Sequence, residues 1–231
     1  MPDNSISMEF APEVLKTFPG ICVAEGDIRS VLIARESAGL ESLKNDVTVE
    51  IQSRYTLENI KNEPLFRAYR DFFWSVGVDP TKTRPASEAL VRRILAGRSL
   101  PTINTAVDAY NLASAVSGIP IAAFDADMLN GELIMRFGRE IEEFTGIGMK
   151  KPVMLKDKQV ILTDSDKIIA IYPYRDSDST KVTPDTGTIH IVTCGVPKIE
   201  RDLVITAYEV CAGFLQDHTG GIPSEPKMSP G

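Results

Sequence analysis

The chain has 231 residues, of which 43% are hydrophobic and 25% charged, and its formal net charge is −7. This composition is enough to bury a large core. The negative charge excludes binding of nucleic acid through the average field of the molecule. A polyanionic partner would need a local basic patch, such as Arg92, Arg93 and Arg98 or Lys150 and Lys151, for which solvated surface is the simpler interpretation.

Targeting and cysteine signals favour a cytoplasmic protein. No run of eighteen apolar residues occurs, so a membrane span is not expected. The N-terminal residues, starting at Met1, have neither the basic nor the apolar region of a signal peptide. Cys22, Cys194 and Cys211 are widely spaced in apolar surroundings, which predicts reduced, buried thiols. We expect no metal site and no cofactor.

The first third of the chain predicts strands and one strong helix. Segment 21–27 is a short apolar run, and segment 47–51 alternates apolar and polar residues as a strand does. From Pro64 to Val76, apolar residues recur at helical spacing and make one face aromatic. An aromatic face of this kind is usually buried in the core, and Trp74 is expected at the edge of that face.

Two further helices and a strand follow. Pro85 suits a first helical turn and Gly97 suits a helix end, which predicts a helix over 84–95. A second helix begins at Thr105 and ends before Gly118, and a strand leads from there to Asp125. Asp108 and Asn111 lie three apart in this second helix, so they share a face and either cap a loop or line a pocket.

After Asp125 the pattern becomes rich in strands. Strands are predicted over 132–137, 167–174 and 188–195, with a helical turn over 140–144 and a hairpin over 152–164. An amphipathic helix is predicted over 200–217, with Leu203 among its inward residues. The tail 223–231 is expected to be flexible or loosely docked.

These elements predict an α+β fold, with helices outside a mostly antiparallel sheet or sandwich. Residues 1–231 are expected to form a single domain that includes the N-terminal segment 1–62. His190 falls in an alternating strand, where an ordinary strand histidine is the expected interpretation. No familiar catalytic or phosphate-binding motif is complete. The polar loop around Arg175 either binds a small polar ligand or is an acidic turn capped by its own side chains.

Several ordered motifs together carry a resemblance over about residues 66–196. They are Gly77-Val78-Asp79-Pro80, Thr83-Arg84-Pro85, Ser87-Glu88-Ala89-Leu90, Asn104 with Val107-Asp108 and Asn111, Pro120 with Phe124-Asp125, and Arg175-Asp176-Ser177 with Thr180, Val182-Thr183 and Thr186. This series resembles the editing module of the phenylalanyl-tRNA synthetase beta chain, the B3/B4 domain. The module also occurs as a free-standing protein, and the chain looks like that form.

The resemblance implies a three-layer fold around a mostly antiparallel β-sandwich of unusual topology, flanked by helices. It also implies aminoacyl-tRNA deacylase activity, the hydrolysis of the ester of a tRNA that carries the wrong amino acid, chiefly tyrosine. Such editing is needed where binding alone cannot separate close analogues. The implied partners are the aminoacyl end of tRNA or a free amino acid, with a synthetase as a possible docking partner. Membrane and DNA are not implied.

The resemblance also implies a set of site residues. Asn111 matches a pocket asparagine and is the candidate catalytic residue, with Asp108 as its companion. Tyr110 stands where the family has threonine, and Ala122 stands where it has histidine. The acid that recognises the tyrosine hydroxyl falls in the loop formed by Arg175, Asp176, Ser177 and Asp178, and Arg84 and Glu88 would brace the edge of the pocket.

Because Ala122 cannot carry a proton, the sequence leaves an alternative open. The chain would then be a non-catalytic module that keeps the editing fold to bind an amino acid, RNA or protein. A remnant that docks on a synthetase and does nothing alone is a third, weaker interpretation.

Overall fold

The structure is a computed structural model that describes residues 7–231. The predicted start of the domain, Met1, and the residues assessed for a signal peptide therefore lie outside the described residues. The helices are α1 (Pro12–Thr17), α2 (Ala38–Arg54), α3 (Pro64–Ser75), α4 (Ala86–Leu95), α5 (Thr105–Ser117) and α6 (Arg201–Thr219). Within this part of the chain, no helix combines the length and the apolarity that crossing a bilayer requires.

The strands form two larger sheets and one hairpin. They are β1 (Met8–Phe10), β2 (Cys22–Arg29), β3 (Ile121–Asp125), β4 (Leu133–Phe137), β5 (Glu143–Phe144), β6 (Val153–Met154), β7 (Val160–Thr163), β8 (Ile168–Ile171), β9 (Arg175–Asp176), β10 (Thr188–Gly195), β11 (Ile222–Pro223) and β12 (Lys227–Ser229). The first sheet has the order β1-β4-β7-β8-β9, and the second has β11-β2-β10-β3 with β12 also on β2. All pairings are antiparallel except β1 with β4. The predicted α+β class with a mostly antiparallel sandwich and flanking helices is confirmed.

Helix α6 covers one face of the second sheet. Thr193 of β10 donates from its hydroxyl to the carbonyl of Val204 in α6, at 2.9 Å. The helix that was predicted to be aromatic, α3, buries Phe66, Tyr69 and Phe73, while Trp74 is 57% exposed, as expected for its rim. The Tyr69 hydroxyl donates to the Cys194 carbonyl at 2.6 Å, which anchors α3 to β10. The three cysteines are buried free thiols, as predicted.

Four local predictions are wrong. Residues 47–51 belong to α2, because the alternation in that stretch also places Val47 and Ile51 one helical turn apart, and both are buried. Residues 152–164 do not form a hairpin, since β6 pairs with β5 and β7 pairs with β4. Residues 140–144 contain β5 in place of a helical turn. Leu203 points outward and is 49% exposed.

The C-terminal residues also differ from the expected flexible tail. β11 and β12 both pair with β2. The Ser229 hydroxyl is buried and donates to the Glu25 carboxylate at 3.1 Å. Proline and serine content suggested disorder, but the free edge of β2 offers backbone partners that a local pattern cannot reveal.

Candidate functional site

Helix α5 brings two polar side chains to the site. Asn104 caps the helix, because its side-chain oxygen accepts the Val107 amide at 2.8 Å. Gly118 ends the helix at a φ of +72°. Between these ends, Tyr110 and Asn111 line a cavity. In the part of the chain that the structure describes, neither of their side chains has a hydrogen-bond partner.

The segment from β8 through β9 forms the opposite wall of the cavity. Asp176 pairs with Ala170 in the strand ladder, and its carbonyl accepts the Ile147 amide at 2.9 Å. The Arg175 guanidinium donates to the Ile147 carbonyl at 3.2 Å. Gly146 lies directly under this arginine, since a Cβ at Gly146 would come within 2.5 Å of Arg175 Cδ. The arginine is thus held by the neighbouring segment and makes no ion pair with Asp176.

The cavity between these walls has a volume of about 150 Å³. Its polar lining consists of Tyr110, Asn111, Arg175 and Asp176. The remaining lining residues are Ala86, Pro120, Ile121, Ala122, Leu162, Ala170, Ile171, Tyr172, Pro173, Tyr174 and Cys194. The arrangement is typical of a small-molecule site, which is mostly apolar with a few convergent polar groups.

Burial changes the titration of the polar groups in the cavity. The pKa of Asp176 is raised to about 7, chiefly because burial disfavours the carboxylate, with a partial offset from the Ala123 amide and from Arg175. Burial also raises the pKa of the Tyr110 phenol, and the charge of Asp176 adds to this rise. The phenol is therefore a hydrogen-bond donor at neutral pH, and Asp176 exchanges its proton there.

Five of the residues that the sequence indicated meet in this cavity. They are Tyr110, Asn111, Ala122, Arg175 and Asp176. The first three come from α5 and β3, and the last two come from β9. Segments about sixty residues apart in the chain therefore close around one small space.

The other five indicated residues lie outside the lining. Arg84 is exposed, and Asp178 is exposed and pairs with Lys181 at 2.8 Å. Ser177 is buried in a turn, where its hydroxyl accepts the Ser179 amide. Asp108 turns away from the cavity: its carboxylate lies 2.9 Å from the Lys44 ammonium and accepts the Ile103 amide. Of the two roles that the sequence left open, Asp108 takes the first, since it accepts the Ile103 amide and pairs with Lys44, and only Asn111 lines the cavity.

Glu88 does not lie at the edge of the pocket, as the resemblance implied, but has a structural role. It is fully buried, and its carboxylate accepts from Arg70 at 3.0 Å and from Arg92 at 2.7 Å. These bonds tie α3 to α4. Arg92 is thereby engaged, so it does not contribute to the basic patch that the sequence suggested.

Sequence reasoning did not find the apolar walls. Leu162, Ala170, Ile171 and Tyr174 carry no chemical signal, because a strand residue facing a cavity looks like a strand residue facing a core. Tyr172 and Cys194 likewise look like core residues in the sequence. Among residues 7–231, no group of three or more His, Cys, Asp and Glu side chains is arranged to hold a metal ion.

The fold and cavity define a class of protein: a mixed α/β domain with a small, mostly apolar pocket between a helix and the rim of a β-sandwich. Residues 68–210, more than half of the chain, match the B3/4 domain family, and the chain belongs to it. An N-terminal fragment of the phenylalanyl-tRNA synthetase beta subunit from Pyrococcus horikoshii shares the fold with a TM-score of 0.52. The likeness covers 98% of this chain and 55% of that one at 13% identity.

Curated relatives support the same family. The phenylalanine–tRNA ligase beta subunit of Protochlamydia amoebophila is 28% identical over 164 residues, which is 68% of this chain and 18% of that protein. The beta subunit of Fusobacterium nucleatum is 28% identical over 165 residues, 69% of this chain and 20% of that protein. The chain thus spans about a fifth of the length of these relatives.

Proposed function

We propose that this chain binds the aminoacyl end of a tRNA in the cavity and hydrolyses the ester of a wrongly charged tRNA. The observation that carries the proposal is the meeting of Asn111 and Asp176 in one small space. The family relationship supports it, because the relatives are subunits of a tRNA ligase. Since the chain covers only a fifth of those relatives, this activity is proposed for the chain itself.

The cavity groups suit ester hydrolysis. Asn111 presents an unbonded amide that can orient the ester carbonyl or the attacking water. Asp176, with a pKa of about 7, suits a general base at neutral pH, since it can take a proton from that water. The water oxygen forms a bond to the carbonyl carbon, the bond to the ribose oxygen breaks, and that oxygen receives the proton. Placing the water next to an already activated ester supplies much of the rate.

The test is a deacylation assay with purified protein and a panel of mischarged tRNAs. We expect release of free amino acid from at least one of them, and a loss of about a hundredfold in rate for Asn111→Ala or Asp176→Asn, the order expected for one positioned group. Asn62→Ala, at an exposed asparagine outside the cavity, is the matched control and should leave the rate unchanged. No release from any mischarged tRNA would remove the enzymatic claim.

A second candidate function is binding without turnover, and one observation favours it. The cavity contains no imidazole: Ala122 occupies the strand position that faces it, His190 is buried with Glu25 and Asp27, and His218 lies at the end of α6. Stabilisation of the protein by an amino acid or its amide, together with no deacylation, would select this function. Ligand binding raises the unfolding temperature with concentration, so thermal shift measures it directly.

A further inference from the structure

A second space, which we call the lysine cleft, adjoins the cavity. It lies between segments 77–83 and 153–159, and Lys82 and Lys156 are in its lining. Its volume is about 370 Å³, a size at which protein clefts hold ligands. Ile171 and Tyr174 line both the lysine cleft and the cavity, so the two spaces meet at these side chains.

Hydrogen bonds fix both walls of the lysine cleft. On one side, the Asp79 carbonyl accepts the amides of Lys82 and Thr83, at 3.1 and 2.9 Å. On the other side, the side-chain oxygen of Gln159 accepts the Lys156 amide at 2.6 Å. The side-chain nitrogen of Gln159 donates to the Tyr174 hydroxyl at 3.5 Å. Both lysines therefore extend from backbone that is held in place.

The charge of the lysine cleft contrasts with the net charge of −7 of the whole chain. Residues 149–158 contain four lysines and one acid, Asp157. Lys82 and Lys156 are both exposed, and within the described range 7–231 Lys156 makes no ion pair. The acid in the lining, Asp79, lies 3.9 Å from Lys82 and also accepts the Thr81 amide. The cleft is thus a locally basic surface on an acidic protein, and it suits an anionic ligand.

The β5–β6 hairpin borders both spaces. Val153 and Met154 of β6 line the lysine cleft and are 44% and 52% exposed. In the loop of the hairpin, the Ile147 carbonyl accepts from Arg175 at 3.2 Å, and the Ile147 amide donates to the Asp176 carbonyl at 2.9 Å. Cationic and apolar side chains therefore lie together next to the cavity. This combination binds single-stranded nucleic acid, because cations neutralise phosphates and apolar groups cover unstacked bases.

We propose that the lysine cleft binds the last nucleotides of a single-stranded RNA 3′ end whose aminoacyl group lies in the cavity. This inference rests on the proposed function, and it names the residues that hold the RNA. Lys82 and Lys156 neutralise backbone phosphates, and Met154 and Tyr174 offer apolar surface to a base. Such contacts recognise an unpaired strand and do not depend on its sequence.

The experiment measures fluorescence anisotropy of a labelled, uncharged single-stranded RNA of about eight nucleotides, within the site sizes of single-strand binders. Wild-type protein should bind it at least about fivefold more tightly than the same sequence in a blunt duplex, the order that contact with one unstacked base supplies. The double variant Lys82→Gln, Lys156→Gln should lower the slope of log affinity against log salt concentration by about 1.4, since each phosphate contact on a single strand contributes about 0.7.

The double variant Lys61→Gln, Lys227→Gln is the matched control. It removes the same charge from two exposed lysines outside the lysine cleft, one before α3 and one on β12, and should keep the wild-type slope. An RNA whose 3′ end carries an aminoacyl group through an amide bond should bind wild-type protein at least about tenfold more tightly than the uncharged strand, because its second group occupies the cavity.

The inference is overturned if the cleft variant keeps the wild-type affinity and slope, or if the duplex binds as tightly as the single strand. It is also overturned if an acidic peptide binds the cleft more tightly than the RNA, or if the aminoacyl amide adds no affinity. Deacylation of mischarged tRNA by the wild type would leave the proposed function standing in each of these cases. Binding of RNA in the cleft without any deacylation would instead remove the hydrolytic function and leave the cleft as an RNA site.

Discussion

Two groups of polar side chains differ in how their charges are compensated: one lies on the second sheet, and the other lies between α5 and β9 of the first sheet. In the first, the imidazole of His190 lies between Asp27, at 2.9 Å, and Glu25, at 3.4 Å. In the second, Asp176 faces a cavity beside Tyr110 and Asn111. The two are near neighbours, since His190 pairs with Phe124 of β3 and the cavity residue Ala122 lies two positions away on that strand.

The His190 cluster holds the two ends of the described chain together. Glu25 accepts the amide of Met8 in β1 at 2.8 Å and the hydroxyl of Ser229 in β12 at 3.1 Å. Burial lowers the pKa of His190, but Asp27 and Glu25 raise it by more, so the pKa of the imidazole lies above its usual value. The half-buried Asp27 lies 2.9 Å from His190 and 3.7 Å from Arg29, so the acids of this cluster are largely paired, as in a structural site.

Compensation in the cavity is weaker, because the Ala123 amide and Arg175 only partly offset the burial of Asp176. Asp176 has no cation partner among residues 7–231, and burial raises its pKa to about 7. A buried acid with a raised pKa in a cleft marks a functional candidate, whereas a compensated cluster marks a structural one. The comparison therefore separates charges that hold the fold from charges that are available to a ligand.

The largest effect is predicted for a variant that breaks the His190 cluster. His190→Ala leaves the buried Glu25 without its cation, whereas Asp27 keeps Arg29 at 3.7 Å. Removing one partner of a buried ion pair costs about 3–5 kcal/mol. We expect the free energy of unfolding, measured by urea denaturation, to fall by that order. His218→Ala, at the end of α6, is the control and should change it by less than about 0.5 kcal/mol. A loss below about 1 kcal/mol for His190→Ala would show that the cluster is not a structural site.

The sequence predicted the residues of the cavity better than it predicted those of the His190 cluster. The order of motifs carried the positions of Asn111 and Asp176, because residues that a family keeps in order also keep their place in the fold. His190 was interpreted as an ordinary strand histidine, since Glu25 and Asp27 lie more than 160 residues away in the chain. Register between β2 and β10 brings them together, and no local pattern encodes register between distant strands.

The same limit explains the indicated residues that do not line the cavity. Asp108 and Glu88 sit on helices with the expected boundaries, so the secondary structure was predictable. Their partners Lys44 and Arg70 come from α2 and α3, and these ion pairs decide where the acids point. A side chain's direction on a correctly predicted helix depends on which other helix packs against it.

A smaller effect is expected at the anchor of α5. Lys44→Met removes the ammonium beside Asp108, which is nearly fully buried. Asp108 keeps the Ile103 amide as a partner, so we expect a loss of about 2–3 kcal/mol, less than for His190→Ala. Urea denaturation measures it. The exposed pair between Arg67 and Asp71 supplies the control, because Arg67→Met should cost at most about 1 kcal/mol. Equal losses for the two variants would contradict a structural role for the buried pair.

The titration of Asp176 gives a third prediction. Its folded-state pKa of about 7 lies above the usual value of about 4. Between those values the folded state holds a proton that the unfolded state has lost, so wild-type stability falls as pH rises through this window. Asp176→Asn cannot lose that proton. The free energy of unfolding of the variant minus that of wild type should therefore rise from about pH 4 to about pH 7 and stay constant above it. Parallel pH profiles for the two proteins would contradict a raised pKa of Asp176.

The smallest effect is expected at Asp178, two residues from Asp176, and it tests the comparison within one loop. The sequence indicated both acids, but Asp178 is 47% exposed and pairs with Lys181 at 2.8 Å. Exposed ion pairs contribute about 0–1 kcal/mol. Asp178→Asn should therefore leave the unfolding free energy nearly unchanged, and the affinity for an aminoacyl amide should stay within about twofold, whereas Asp176→Asn should weaken that affinity about tenfold or more. Calorimetry on the two matched variants measures both affinities. A larger loss at Asp178 would mean that the ligand binds outside the cavity, along the exposed face of the loop, and that burial does not decide which acid is used.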